Sequence, residues 1–232
     1  MQVLDNLERT MAKFSRQNPS LRYLELLGYY KTMHVDGAAA QGIPPEQTFD
    51  GRSLPQHAAR IRNIINVLGS KTILDYGSGK GKQYESLLIE TPDGEKFPNI
   101  KAFWNVDSIE CFDPAYVPYA QLPKGTFDGV VTTDVLEHCP KEDISWIVDE
   151  IFGFATEFVY ANVACYPAKK TLPNGENAHC TLEPPNWWEE IFRSRIKRSP
   201  GLRYFAAYDV IKKSKNGEKT LATITGSGKW NE

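Results

Sequence analysis

Cysteine is scarce in this sequence, long hydrophobic runs are missing, and neither sign of charge is in excess. Cys111, Cys139, Cys165 and Cys180 are the four cysteines of 232 residues, and they form no CxxC pair and no metal-ligand spacing. Scattered cysteines in a chain of this size predict buried thiols and exclude a disulfide framework as the organising device. No apolar stretch approaches the length of a membrane span, and residues 1–16 carry charges without the apolar centre of a secretory signal. The expectation is a soluble, cytoplasmic protein with no membrane partner. With 27 Lys and Arg against 29 Asp and Glu, the formal charge is −2, so no global basic field argues for nucleic acid. Arg193, Arg195, Lys197, Arg198, Lys212, Lys213 and Lys215 fall on an expected helix end and an expected hairpin, where they read as solvated charge.

What is present is an ordinary globular balance, 41% hydrophobic and 24% charged, at a length that suits one sizeable domain. Val3, Leu4, Leu7, Met11 and Phe14 fit one helical face, and Pro19 and Ser20 lead into a second helix with Leu21, Leu24 and Leu27. Residues 37–51, rich in Gly, Ala and Pro, read as a loop, so residues 1–53 are expected to form a helical cap. Residues 54–68 predict a helix stopped by Gly69. From there strands (72–76, 109–112, 127–132, 157–163) alternate with helices (82–89, 144–154, 184–195), and residues 91–104 read as an inserted loop. Two last strands, 204–211 and 220–225, meet at the hairpin signal Lys215-Asn216-Gly217. Alternation of this kind predicts an α/β fold for residues 54–232: a Rossmann-like, mainly parallel sheet with an antiparallel C-terminal hairpin strand and helices on both faces.

The most informative segment is Ile73-Leu74-Asp75-Tyr76-Gly77-Ser78-Gly79-Lys80-Gly81. Here an apolar strand delivers the chain to glycines that allow positive φ and close approach of a ligand. The P-loop spacing GxxxxGK[ST] is not there. The dinucleotide fingerprint GxGxxG fails as well, because the residue three beyond Gly79 is Lys82. What remains is D-x-G-x-G-x-G, whose acid repels a pyrophosphate and suits a ligand with a cationic amino group. A tight strand–helix turn that holds no ligand is the plainer alternative.

This segment resembles motif I of class I S-adenosylmethionine-dependent methyltransferases. The resemblance implies that Asp75 sits near the methionine moiety, and that Tyr76, Gly77, Ser78, Gly79 and Gly81 let the cofactor lie across the loop. Ser108-Ile109-Glu110-Cys111-Phe112-Asp113-Pro114 is similar to the family's second strand, whose terminal acid takes both ribose hydroxyls. Asp113 is chemically apt for that, since a carboxylate accepts two hydrogen bonds from a diol, and Pro114 follows it. Thr126-Phe127-Asp128-Gly129-Val130-Val131-Thr132-Thr133-Asp134-Val135-Leu136-Glu137-His138 resembles the fourth strand and loop of the small-molecule members, which implies cofactor contacts from Thr133, Asp134 and Val135. The match spans roughly residues 70–226. Lys80, Gln83 and Tyr84, with Met33-His34 and Phe49-Asp50-Gly51, are similar to a bacterial and phage subgroup. Two departures stand out: the long stretch between Gly81 and Asp113, and too little chain between Asp113 and Phe127 for a further helix and strand.

The resemblance implies methyl transfer to a small polar acceptor, with O-methylation of a sugar or a biosynthetic intermediate as the expectation. A cofactor-binding partner subunit without catalysis is the alternative. Sites on such sheets lie beyond the carboxyl ends of the strands, which brings forward Asp134, Glu137 and His138, then Asn177, His179 and Thr181. His179 and His138 are the candidate bases, because a neutral imidazole takes a proton near neutral pH. Asp134, Glu137 and His138 also form a D-x-x-E-H array similar to the metal-binding arrays of ubiquinone-biosynthesis O-methyltransferases, although no metal site is assigned from it. Trp187 and Trp188 are candidates for a substrate wall. The amino-DNA methyltransferase motif [DNS]PP[YFW] is replaced by Thr133-Asp134-Val135-Leu136, which argues against a DNA base as acceptor.

Overall fold

In a computed structural model the chain is described over residues 14–85, 88–213 and 216–229. The helix expected over residues 2–14 falls almost entirely outside these. Helix α1 (Leu21–Asp36) starts where Ser20 Oγ accepts the Tyr23 N–H and ends at Gly37, φ 76°. Ser20 is fixed in turn by Asp143, which accepts both its N–H and its hydroxyl. Two single 3-10 turns, Ala39–Gln41 and Pro45–Gln47, occupy the glycine- and proline-rich stretch that follows. Helix α2 (Ala58–Leu68) stops at left-handed Gly69, with the Gly69 and Ser70 amides returning to Ile65 O.

Eight strands follow: β1 (Thr72–Tyr76), β2 (Ile89–Glu90), β3 (Lys96–Phe97), β4 (Ser108–Phe112), β5 (Phe127–Thr133), β6 (Ala155–Ala164), β7 (Arg203–Lys213) and β8 (Lys219–Lys229). Helices α3 (Ile100–Trp104), α4 (Ile144–Phe154) and α5 (Pro185–Ile196) lie among them. The main sheet runs β4-β1-β5-β6-β7-β8, with every neighbouring pair parallel except β7 and β8. The fold is therefore a Rossmann-like α/β sheet closed by an antiparallel hairpin strand.

Period-two alternation sends successive side chains to two separate cores. On β5, Val130 joins Ile147, Ile151 and Phe152 of α4 and Trp188 and Phe192 of α5. Its neighbour Val131 joins Ile61 and Ile65 of α2 and Trp104 of α3 on the opposite face. Each such side chain is essentially closed to solvent, and full burial of one stabilises by about 1.5–3 kcal/mol. These two layers clamp the sheet and carry the strand ends that build the site.

Two sequence expectations are corrected. The helix over 82–89 is a single 3-10 turn, Lys82–Tyr84, after which Glu85 is extended and Ile89 enters β2; residues 86 and 87 lie outside the described residues. The segment over 91–104 is not a plain insertion. It completes the β2–β3 hairpin and then folds into α3, capped by Asn99 Oδ1 on the Ala102 N–H, with Trp104 Nε1 donating to Ala58 O at 2.9 Å. The stretch between Asp113 and Phe127 holds one 3-10 turn, Val117–Tyr119, as its shortness predicts.

Candidate functional site

The carboxyl ends of β1, β4, β5 and β6 open on one cavity of about 630 Å³, within the range of small-molecule sites, roughly 300–1,000 Å³. Asp75, Tyr76, Gly77, Ser78, Gly79, Asp113, Pro114, Thr133, Asp134, Val135, His138 and His179 all line it. Gly81 does not: it closes the turn with φ 69° against the Tyr119 ring. Tyr76 contributes from its main chain, since its hydroxyl lies in the core, donating to Glu150 Oε1 at 2.7 Å and accepting from Arg16.

One wall is the glycine loop, and all its amides are already engaged. The N–H groups of Gly77 and Ser78 donate to Phe112 O at 2.7 and 3.1 Å, that of Gly79 to Asp113 Oδ2 at 2.9 Å. Those of Lys80 and Gly81 donate to Phe49 O and Ser78 O. A Cβ on Gly77 would lie 2.4 Å from Val135, and one on Gly79 2.5 Å from Phe49 O, at φ of 84° and 59°. Glycine is thus required here by close packing as well as by conformation.

Two acids face the same space. Asp75 Oδ2 accepts from Gln83 Nε2 at 2.8 Å and from Tyr84 Oη at 2.9 Å. Burial pushes Asp75 up to about 6; the Gln83 and Tyr84 bonds oppose the shift and the charge of Asp113 adds to it. Asp113 accepts the Gly79 and Ala115 amides, one on each oxygen, and burial raises it to about 6 against those bonds. Each oxygen of Asp113 keeps further acceptor capacity.

The roof comes from the N-terminal segment. His34 lies between the rings of Phe49 and Tyr116, with centroids 4.6 and 4.9 Å away, and its Nε2 is 3.9 Å from Asp113 Oδ1. Burial, then the charge of Lys80, lowers His34 to about 4, so its ring is neutral at physiological pH. Lys80 Nζ ties this segment to the glycine loop by donating to His34 O, Pro45 O and Thr48 Oγ1. His34 Nδ1 is a buried polar atom without a hydrogen-bond partner among the described residues, and the buried Ser78 hydroxyl lies beside the Cys111 thiol.

A second wall holds both candidate histidines. His138 Nδ1 lies 2.9 Å from Ala178 O, and His179 Nδ1 lies 2.6 Å from Tyr166 O. A carbonyl oxygen only accepts, so both Nδ1 atoms carry a proton, and Nε2 is the nitrogen whose lone pair each neutral ring offers. The rings meet edge to face at 4.7 Å. Tyr30 Oη, 3.0 Å from His138 Nδ1, donates to the same Ala178 O. Asp134, at φ 60°, has Oδ1 3.8 Å from His179 Nε2 and accepts Ser53 Oγ–H on Oδ2. Burial lowers His138 to about 4, against the pull of Asp134. Burial raises Asp134, yet His138, His179 and Ser53 together hold it below the usual carboxylate range.

Other candidates take structural positions. Glu137 is fully buried beneath Asp134 and does not line the cavity, with Oε1 accepting the Ala164 N–H at 2.5 Å; burial and the charge of Asp134 push its carboxyl well up. The single-turn metal array over Asp134, Glu137 and His138 is therefore not what the fold assembles. Asn177 braces the loop bearing His179, and Thr181 donates to Cys139 O. Trp188 is core and Trp187 packs beside Lys141, so neither is a cavity wall. Tyr30 and Ser53 line the cavity without any sequence motif to single them out, and His34, marked in sequence only as part of the Met33-His34 pair, lines it as well.

No family model matches the chain, and no curated protein matches it. Among solved structures it is similar to a DhpI–SAH complex at 13% sequence identity and TM-score 0.26, over 87% of this chain and 79% of that one. At that TM-score the likeness carries no argument, and the site stands on its own geometry.

Proposed function

We propose that this chain is an S-adenosylmethionine-dependent methyltransferase that acts on a small polar acceptor, with a sugar hydroxyl or a biosynthetic intermediate as the acceptor class. One observation carries the reading: the glycine loop has turned every amide inward and presents carboxylates instead. A phosphate-binding loop needs free N–H groups aimed at an anion. Here the amides of residues 77–81 are all engaged within the protein, and Asp75 and Asp113 add negative character. Such a wall repels a pyrophosphate and favours a ligand carrying ammonium and sulfonium charge.

Two residues fit two parts of that cofactor. Asp113 offers acceptor capacity for a ribose diol, and Asp75, whose Oδ2 is already engaged, has Oδ1 left for an ammonium. His34, whose Nδ1 has no hydrogen-bond partner among the described residues, and Ser78 belong to the same lining. When bound, the cofactor supplies an electrophilic methyl group. The chain's part is to hold both reactants in line, to exclude water beneath the N-terminal segment and to receive the acceptor's proton. The imidazole wall, with two Nε2 lone pairs, suits that last task.

A thermal-shift panel tests the reading. S-adenosylhomocysteine is expected to raise the melting temperature, because a ligand that binds only the folded state stabilises it. NAD and ATP are expected to leave it unchanged. A shift with NAD and none with S-adenosylhomocysteine would overturn the assignment.

A further inference from the structure

We propose that Asp134, His138 and His179 bind one divalent first-row transition metal ion, of which zinc is the representative, and that this ion receives the acceptor's oxygen. One ligand atom from each of the three residues lies within 4.8 Å of the others. The Asp134 Oδ1 to His179 Nε2 separation of 3.8 Å is too long for a hydrogen bond. It approaches the ligand–ligand edge of a tetrahedral site, roughly 3.4 Å for bonds of about 2.0–2.1 Å.

The surroundings are arranged as a metal site requires. Metal-binding imidazoles donate their second N–H to a carbonyl or carboxylate, which fixes the tautomer and aims the other nitrogen. Both rings do so here, His138 to Ala178 O and His179 to Tyr166 O. Ser53 holds Asp134 Oδ2, leaving Oδ1 toward His179. Asn177 clamps the histidine-bearing loop through Ala168 N, Ala168 O and His179 N. Asp134 itself sits at φ 60°, a sparsely populated conformation for a non-glycine residue, and its N–H is held by Asn162 O.

Two imidazole nitrogens and one carboxylate oxygen select zinc, cobalt, iron or manganese over magnesium and calcium, which prefer oxygen shells. Three protein ligands leave coordination positions open to the cavity, the arrangement of catalytic sites. The role assigned to the ion rests on the methyl-transfer reading, whereas metal binding does not. An acceptor hydroxyl bound there becomes more acidic and loses its proton to solvent. Its oxygen pair then forms the O–CH3 bond, while the S–CH3 bonding pair stays on sulfur and neutralises the sulfonium. With the ion bound, the Nε2 lone pairs serve it as ligands, and solvent takes the proton that the metal-free imidazole wall would receive.

The test is a titration of chelator-treated full-length protein with Co²⁺, followed by visible absorption, with Zn²⁺ as competitor. Ligand-field bands saturating at one equivalent and lost on adding Zn²⁺ are expected. His179→Ala is expected to weaken binding about hundred-fold or more, since even loss of an outer-shell partner costs 10–100-fold. Glu137→Gln is expected to cost far less than His179→Ala, because its carboxyl is not a ligand and the amide keeps a donor for the neighbouring Asp134. A circular dichroism melt of each variant separates ligand loss from unfolding, and His179→Gln serves if the alanine variant melts early. No saturable Co²⁺ spectrum in the wild type, or full binding by folded His179 variants, overturns the site. Loss on Glu137→Gln with retention on His179→Ala overturns it too, in favour of the single-turn array. An S-adenosylhomocysteine melting shift on the same samples reports separately on the cofactor.

Discussion

On one wall of the cavity a contiguous loop, residues 75–81, presents carboxylate and turns every amide inward; on another, Asp134, His138 and His179 arrive from two separate segments and present one carboxylate and two imidazoles. The first wall is rigid because its backbone is packed: there is no room for a Cβ at Gly77 or Gly79. The second is held by side chains that second partners aim, with Ala178 O, Tyr166 O and Ser53 as the fixings. The difference teaches how the work divides. A backbone wall recognises a ligand by shape and charge, while a side-chain wall can carry reactive groups without disturbing that recognition.

If the division is real, damage to one wall should leave the other working. The largest expected effect is on turnover: His179→Ala should lower kcat at least 10²-fold, whether the ring binds metal or takes a proton. S-adenosylhomocysteine affinity should stay within about three-fold. Transfer of labelled methyl groups to the accepting metabolite measures the first, and calorimetry the second. A ten-fold loss of cofactor affinity in the same variant would show that the two walls are not separable.

Next in size is Asp113→Ala, the reciprocal lesion. Losing a hydrogen bond to a charged group costs about 1.5–3 kcal/mol, so cofactor affinity should fall roughly ten- to hundred-fold. Co²⁺ binding at the other wall should not change. An affinity equal to that of the wild type would remove Asp113 from the cofactor site.

The smallest expected effect comes from pH. Asp75 and Asp113 are raised to about 6, and a cationic ligand binds their ionised forms. Affinity should therefore be full above pH 7 and fall as pH drops through about 6. If one of the two controls binding, the loss is about ten-fold between pH 7.5 and pH 5. The sign is that of a ligand stabilising the deprotonated state. Affinity that is flat or rises toward pH 5 would contradict a carboxylate wall that binds a cation.

The same contrast explains what could be read from sequence. Strand β1 and the loop after it were legible, because one uninterrupted stretch holds the apolar run, the acid and the glycines. Helix α4 was legible over Ile144–Phe154 from its apolar content. The helix expected over 82–89 was misread: Gln83 and Tyr84 turn their side chains to Asp75, a distant contact that local spacing does not encode, and Glu85 is already extended. Helix α3 was invisible because five residues are too few to show a period. At the site, His138 and Glu137 are neighbours in sequence yet diverge in space, one lining the cavity and the other sealed against Ala164. His179 reaches Asp134 only through the long return loop after β6, a relation that no local spacing encodes.

The left-handed backbone of Asp134 has a practical meaning for anyone who would engineer this chain. Glycine would rest there more comfortably than aspartate, by on the order of 1 kcal/mol. A selection for heat resistance alone, with no readout of chemistry, would be drawn to that exchange and would erase the carboxylate the histidines face. Stability and activity pull apart at this one position, so a hardier variant carrying a changed residue 134 should be suspected of having become an inert scaffold.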